Sequence, residues 1–169
     1  MMEIRLHGAL WRTATESRAA EWRRTLDELN AENALSLSGT RAASGETVEA
    51  ALELVRKPDE SLVVRVYPDG WTSDGELALA PETLAAFFDE YSATIRQMVH
   101  VDSQAPVRGF EALDMAKRAV HDEAADYLVE QLAPFVRAEQ PDARRLFTLI
   151  FLVATDLPER LVRYHRRHG

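Results

Sequence analysis

Glu111, Asp114, Arg118 and His121 follow one another at steps of three and four in the segment EALDMAKRAVHDEAADYLVEQL, residues 111–132. On a helix that spacing brings all four to one side. Two acids, a guanidinium and an imidazole on one stripe could carry acid–base chemistry. His121 would be the general acid or base, oriented by Asp114 or Glu123, with Glu111 as the second acid and Arg118 holding an anion. An imidazole needs only a small shift from its reference pKa of about 6.5 to work near neutral pH. The same residues also suit a solvated salt-bridge ladder. Asp114 with Arg118, and Arg118 with Asp122, are i,i+4 pairs, each contributing only about 0.3–0.5 kcal/mol when exposed. Spacing does not choose between the two.

Arg144 and Arg145 form a second set, at the head of DARRLFTLI, residues 142–150. Cations at a helix N-terminus oppose its dipole and are costly unless paired. Asp142, Glu139 or an acid of the 111–132 helix is the partner to expect, and an anion site is the alternative. Arg118, Arg144 and Arg145 are therefore the candidate binding residues.

Other chemistries find little footing. There is no HExxH and no Glu-x-x-His. His121 and Glu123 are two residues apart, which on a helix turns their side chains about 200° from each other. His165 and His168, three apart, could chelate a metal in the last residues of the chain. No glycine-rich phosphate loop and no Gly-x-Ser-x-Gly occurs, and the whole chain holds only seven glycines. The absence of cysteine excludes thiol catalysis and disulfides and suits a reducing cytoplasm. No metal or cofactor is expected.

Charge narrows the partners. The net charge is −8, which repels nucleic acid and anionic lipid unless it is segregated. Residues 41–100 hold eleven acids against five bases, a net of −6; residues 101–169 hold eleven against ten, a net of −1. The last ten residues, RLVRYHRRHG, carry four arginines and no acid. This tail could touch nucleic acid or an acidic partner, or its cations could simply complement a helix C-terminus. It lacks the interleaved aromatics of a single-strand binder. The start, MMEIRLHGALWR, has no signal-peptide apolar run, and the longest apolar stretch, Leu149 to Ala154 with Leu146 and Phe147 just before it, is far shorter than the roughly 20 residues a membrane span needs. A cytoplasmic protein without a membrane segment is expected.

These residues must be positioned by a single domain over 1–169, a length able to hold a real core. Residues 3–11 suggest a weak first strand. Thr13-Ala14-Thr15-Glu16 has capping-box spacing before an amphipathic helix of about 15–31, marked by Ala19, Trp22, Leu26 and Leu29. SGTRAASG, 38–45, reads as a loop. Runs at 47–56, 61–67 and 76–79 read as strands, with Pro58-Asp59 and Pro68-Asp69-Gly70 as turns, and such short connections favour an antiparallel meander. From Pro81 the chain becomes helical, with a stripe of Leu84, Phe87, Phe88, Tyr91, Ile95 and Met98. A break is expected at Asp102–Gly109, then a helix at 110–133 burying Leu113, Ala116, Val120, Ala124, Tyr127 and Leu128. A central buried helix at 142–155 follows, and a short one from Pro158 carries the basic tail. The expected class is α+β: an N-terminal helix and small antiparallel meander in 1–80, packed with a helical half over 81–157.

The 111–132 helix followed by DARRLFTLI resembles the signature of a bacterial family of unknown function, uncharacterised protein family 0262. The matching positions are Glu111, Asp114, Met115, Lys117, Arg118, His121, Glu123 and the run Ala143 to Ile150. Where the family tends to read His-Asn-Glu-Gly, this chain reads His121-Asp122-Glu123-Ala124. The resemblance implies a small bacterial cytoplasmic protein whose shared core or function lies in 111–145, and it brings no activity, substrate or cofactor. The function to expect is an interaction or regulatory module whose partner is a protein, a homodimer with a second copy being one form of it. The alternative is a small enzyme or anion-binding protein using the His/Asp/Arg stripe.

Overall fold

The computed structural model describes residues 2–39, 50–104 and 107–155, with 101–104 and 107–110 described by backbone alone. Among the described residues the elements in order are β1 (Glu3–Leu6), α1 (Gly8–Thr13), α2 (Glu16–Ala31), β2 (Ser36–Leu37), β3 (Ala51–Arg56), β4 (Leu62–Tyr67), β5 (Gly75–Ala78), α3 (Pro81–Gln104), α4 (Val107–Leu132), β6 (Val136–Arg137) and α5 (Gln140–Ala154). The class is α+β, as expected. The basic tail, with His165 and His168, and the 40–49 part of the expected loop and strand lie outside the described residues.

The main sheet has the order β1-β3-β4-β5. β3, β4 and β5 form the antiparallel meander, in a register that sets Leu54 opposite Val64 and Arg65 opposite Glu76. β1, whose direction no local pattern announces, lies parallel to β3, with Ile4 opposite Leu52. The sheet is therefore mixed. Parallel neighbours need a long crossover, and α1 and α2 supply it. The expected strand at 3–11 is correspondingly short. It stops at Leu6, and His7 caps α1 by accepting a hydrogen bond from the Ala9 N–H, 3.2 Å.

Asn30 in the last turn of α2 and Asn33 just beyond the helix close the outer edge of β1. Asn30 accepts from the Ile4 N–H at 2.8 Å and donates to the Ile4 carbonyl at 3.0 Å. Asn33 does the same at Met2, at 3.3 and 3.0 Å. Their amides satisfy backbone groups that an edge strand would otherwise offer to another chain.

One face of the sheet packs on the helices through Ile4, Leu52, Leu54, Val64 and Val66. The other carries a charged ladder, with Arg65 Nε 2.7 Å and Lys57 Nζ 2.8 Å from Glu76 and the Tyr67 hydroxyl donating to Glu53 at 2.9 Å. Ala51, Val55 and Val63, which share that face, are buried beside the ladder.

α5 is the central helix, contacting α2 and α4, with Ala143, Leu146, Phe147, Ile150 and Phe151 fully buried. Phe147 and Phe151 meet Phe88 and Tyr91 of α3, the closest ring centroids being 4.8 Å apart for Tyr91 and Phe151. The C-terminal carbonyls of α5 are satisfied from outside the helix: Trp22 Nε1 donates to Leu152 O at 3.2 Å, Arg56 to Val153 O at 2.9 Å, and Arg18 to Thr155 O. Two of these donors are cations, which also suits the negative end of the helix dipole.

A two-stranded antiparallel sheet of β2 and β6 was not foreseen. Two residues per strand are too few for a periodicity signal. The expected break at Asp102–Gly109 is also narrower, since α3 runs to Gln104 and α4 begins at Val107.

Candidate functional site

α4 spans 26 residues, and its inner line is Lys117, Val120, His121, Ala124, Ala125 and Leu128, each no more than 3% exposed. The sequence-based face was rotated by part of a turn. Ala116, expected inside, is exposed, and Lys117 takes the buried position. Val120, Ala124 and Leu128 are buried as expected, with Leu113 and Tyr127 half-buried. Ala124 is fully enclosed. A methyl group therefore fits where the resembling family tends to have glycine.

The four residues of the polar stripe do not share one environment. Glu111 is exposed. Arg118 extends into solvent and reaches back 3.2 Å to Asp114, forming the expected i,i+4 pair. His121 is buried between α4 and α5, 2% exposed. Its Nε2 lies 2.8 Å from the Arg144 carbonyl and 3.2 Å from the Thr148 hydroxyl. A carbonyl only accepts, so Nε2 carries the proton and donates to it. Thr148 Oγ1 donates to the same carbonyl, 3.1 Å. Neither Asp114 nor Glu123 is the partner that fixes the ring. The rings of Tyr91 and Phe147 pack within 5.7 Å of it, centroid to centroid. Burial among these groups pushes the imidazole pKa down to about 4, outweighing the Arg144 carbonyl, which raises it. The ring is neutral at neutral pH.

Arg144 and Arg145 find partners of the kind anticipated. The Arg144 guanidinium pairs with Asp122 of α4, the position at which the family tends to have an amide. Arg145 donates to the Glu32 carbonyl at 3.2 Å and lies 3.6 Å from Asp142. Asp142, itself buried, accepts from the Ala34 N–H at 2.8 Å. The head of α5 is thus tied to α4 on one side and to the chain leaving α2 on the other. An acid in its first turn and these pairings offset the cost of placing two arginines there.

Lys117, Tyr91 and Thr148 were not singled out from the sequence as site residues. Lys117 is 1% exposed, with its Nζ 5.9 Å from the centre of the Tyr91 ring, a cation–π distance. Burial pulls its amine down to about 8, against the attraction of Asp114. The Tyr91 hydroxyl, fully buried, is raised well above its ordinary value by the same desolvation. A signal for Lys117 existed: 117, 121, 124 and 128 have the spacing of one helix face. A lysine on that face reads as solvated only when its residue type is considered alone.

The arrangement brings His121 and Arg144 together, keeps Asp114 with Arg118 near the surface, and leaves Glu111 and Arg145 apart from both. Among the described residues no group of three His, Asp or Glu side chains is placed to hold a metal ion. Among those residues, too, no helix is long and apolar enough to cross a membrane.

Comparison with known proteins agrees with the resemblance carried by α4 and α5. The profile of uncharacterised protein family UPF0262 matches residues 1–155. The UPF0262 protein of Maricaulis maris is 48% identical over 87 residues, 52% of this chain and 53% of that protein. That of Novosphingobium aromaticivorans is 41% identical over 99 residues, 54% of this chain and 58% of its own length. That of Erythrobacter litoralis is 40% identical over 80 residues, 46% and 50% of the two chains. The chain thus spans about half the length of the curated relatives it matches. No solved structure matches it. With the profile running from the first residue through the end of α5, the chain belongs to the uncharacterised protein family UPF0262.

Proposed function

We propose that this protein is a small interaction module of the cytoplasm, the compartment its cysteine-free composition suits, and that it presents the outer face of α4 to a protein partner. The observation that carries the reading is the contrast between the two sides of that helix. On the inner side, His121 and, through its carbonyl, Arg144 hold α4 to α5. On the outer side Met115 is 71% exposed, and Ala112, Ala116 and Ala119 around it are exposed as well. The spacing of these four residues is that of a helix docking stripe. An exposed methionine among small residues is an adaptable apolar contact, and Glu111, Arg118 and Glu123 supply a charged rim.

The alternative, a small enzyme or anion-binding protein, has less support. His121 has its Nε2 proton committed to a backbone carbonyl and stays neutral down to about pH 4. Arg144 and Arg145 are engaged in holding the head of α5.

The test is photo-crosslinking in living cells, with a photoreactive amino acid at Met115 and, as control, at Glu28 on the exposed side of α2. A discrete adduct at 115 that is missing at 28 supports the module. No adduct at 115, or the same diffuse pattern at both positions, overturns it.

A further inference from the structure

We infer that the partner on this face is a second copy of the chain, with the two α4 helices packed antiparallel about a twofold axis close to Met115. The inference rests on the reading of α4 as a docking face and adds the identity of the occupant. A twofold interface must be complementary to itself, and the exposed stripe has that property in two respects.

The first is shape. Ala112, Met115, Ala116 and Ala119 take the i, i+3, i+4, i+7 positions of a helix-pairing seam and are all exposed. In an antiparallel pair with the axis near 114, Met115 of one copy lies over Ala112 of the other, and the reverse holds by symmetry. A long flexible side chain thus meets a methyl group twice. Alanine at the remaining seam positions allows the axes to approach to the short end of the 8–10 Å range of helix packing.

The second is charge. Glu111 and Arg118 are seven residues apart and line the same edge of the stripe. Both are exposed, Arg118 with 57% of its side chain accessible beside its pair with Asp114. Reversing the helix direction places Glu111 of one copy beside Arg118 of the other, and Arg118 beside Glu111. Parallel packing would put this edge of the two copies on opposite sides of the seam, so neither pair could form. The charge pairs therefore favour the antiparallel arrangement over the parallel one.

Two helices of this length bury less than the roughly 800 Å² per partner of a standard stable complex. The pair is expected to be weak and concentration-dependent.

Sedimentation equilibrium of the full chain, from a few to several hundred micromolar, tests this with charge swaps. The wild type is expected to move from one chain mass toward two. E111R and R118E, each leaving like charges facing at both symmetric contacts, are expected to weaken association by about tenfold or more. The double swap E111R/R118E restores opposite charges and should recover association to within a few-fold of wild type. Mixing the two single variants should give a heterodimer that neither forms alone. Circular dichroism checks that every variant keeps its helices. Three results overturn the inference: a wild type monomeric throughout the range, a dimer indifferent to both single swaps, or a double swap as weak as the singles. If the chain is monomeric while Met115 crosslinks to a different protein, this inference fails and the interaction module stands. If Met115 yields no adduct, that reading fails as well.

Discussion

Replacing His121 with glutamine should flatten the acid side of the protein's stability profile. The imidazole is buried, donates through Nε2 to the Arg144 carbonyl at 2.8 Å and sits between the rings of Tyr91 and Phe147. A second proton on the ring would place a charge among these groups, so burial holds the folded pKa at about 4. In the unfolded chain it lies near 6.5. The folded pKa is the lower one, so the unfolded chain binds the proton first. The stability His121 supports is complete above about pH 6.5 and is lost progressively as the pH falls to about 4. The whole difference is on the order of 3 kcal/mol, of which about 2 kcal/mol is lost between pH 7 and pH 5. Glutamine can donate to the same carbonyl and does not titrate. Carboxylates in general also take up protons on the acid limb, so the quantity to read is the difference between the two proteins. Urea unfolding, followed through the fluorescence of the buried Trp22, should give wild type and H121Q curves that converge by about 2 kcal/mol on going from pH 7 to pH 5. Parallel curves over that range would refute the reasoning. So would a proton NMR titration placing the His121 midpoint above pH 6.

Three further outcomes can be checked. Lys117 has its folded pKa lowered to about 8 from 10.5, so stability should rise between pH 8 and pH 10.5 as the unfolded chain is made to give up its proton. K117M should abolish that slope. A slope that persists in the variant would contradict this. N30A removes both amide bonds to Ile4 and should cost about 1–3 kcal/mol while leaving β1 open to pairing. Chemical denaturation and light scattering on warming read the two effects, and an unchanged variant would mean the amides do not seal that edge. D142A leaves the Ala34 N–H without its acceptor and should cost about 1–3 kcal/mol by chemical denaturation. A cost below about 0.5 kcal/mol would show that water replaces the carboxylate.

Local patterns carried most of the element order. The stripe Leu84, Tyr91, Ile95 and Met98 on α3, the apolar run of α5 and the turns at Pro58 and Pro68 each follow from spacing or from residues with restricted backbone angles, and each is found where spacing placed it. The arginines of α5 announced a need for partners, and the acids named for them included Asp142 and the set that contains Asp122. The parallel pairing of β1 with β3 was not legible. Strand direction depends on a crossover many residues long, and nothing in the alternation of residues 3–6 records it. The pairing of β2 with β6 was hidden for a related reason, since about a hundred residues separate two strands of two residues each.

The sequence by itself determined that there is a helix at 111–132, that it has two sides, and that titratable groups crowd its middle. It also carried the family membership, because the order of residue types in α4 and α5 is specific. It could not decide which titratable groups face inward. A periodicity of 3.6 fixes the relative angles of side chains around a helix, but the absolute rotation is set by what packs against it. Here the helix turns Lys117 and His121 toward the ring of Tyr91, and His121 also toward Phe147 and the Arg144 carbonyl. That same rotation leaves Met115 and its neighbouring alanines outward. Only tertiary packing could make that choice, because the free energy of burying an amine or an imidazole depends on the partners that the other helices bring.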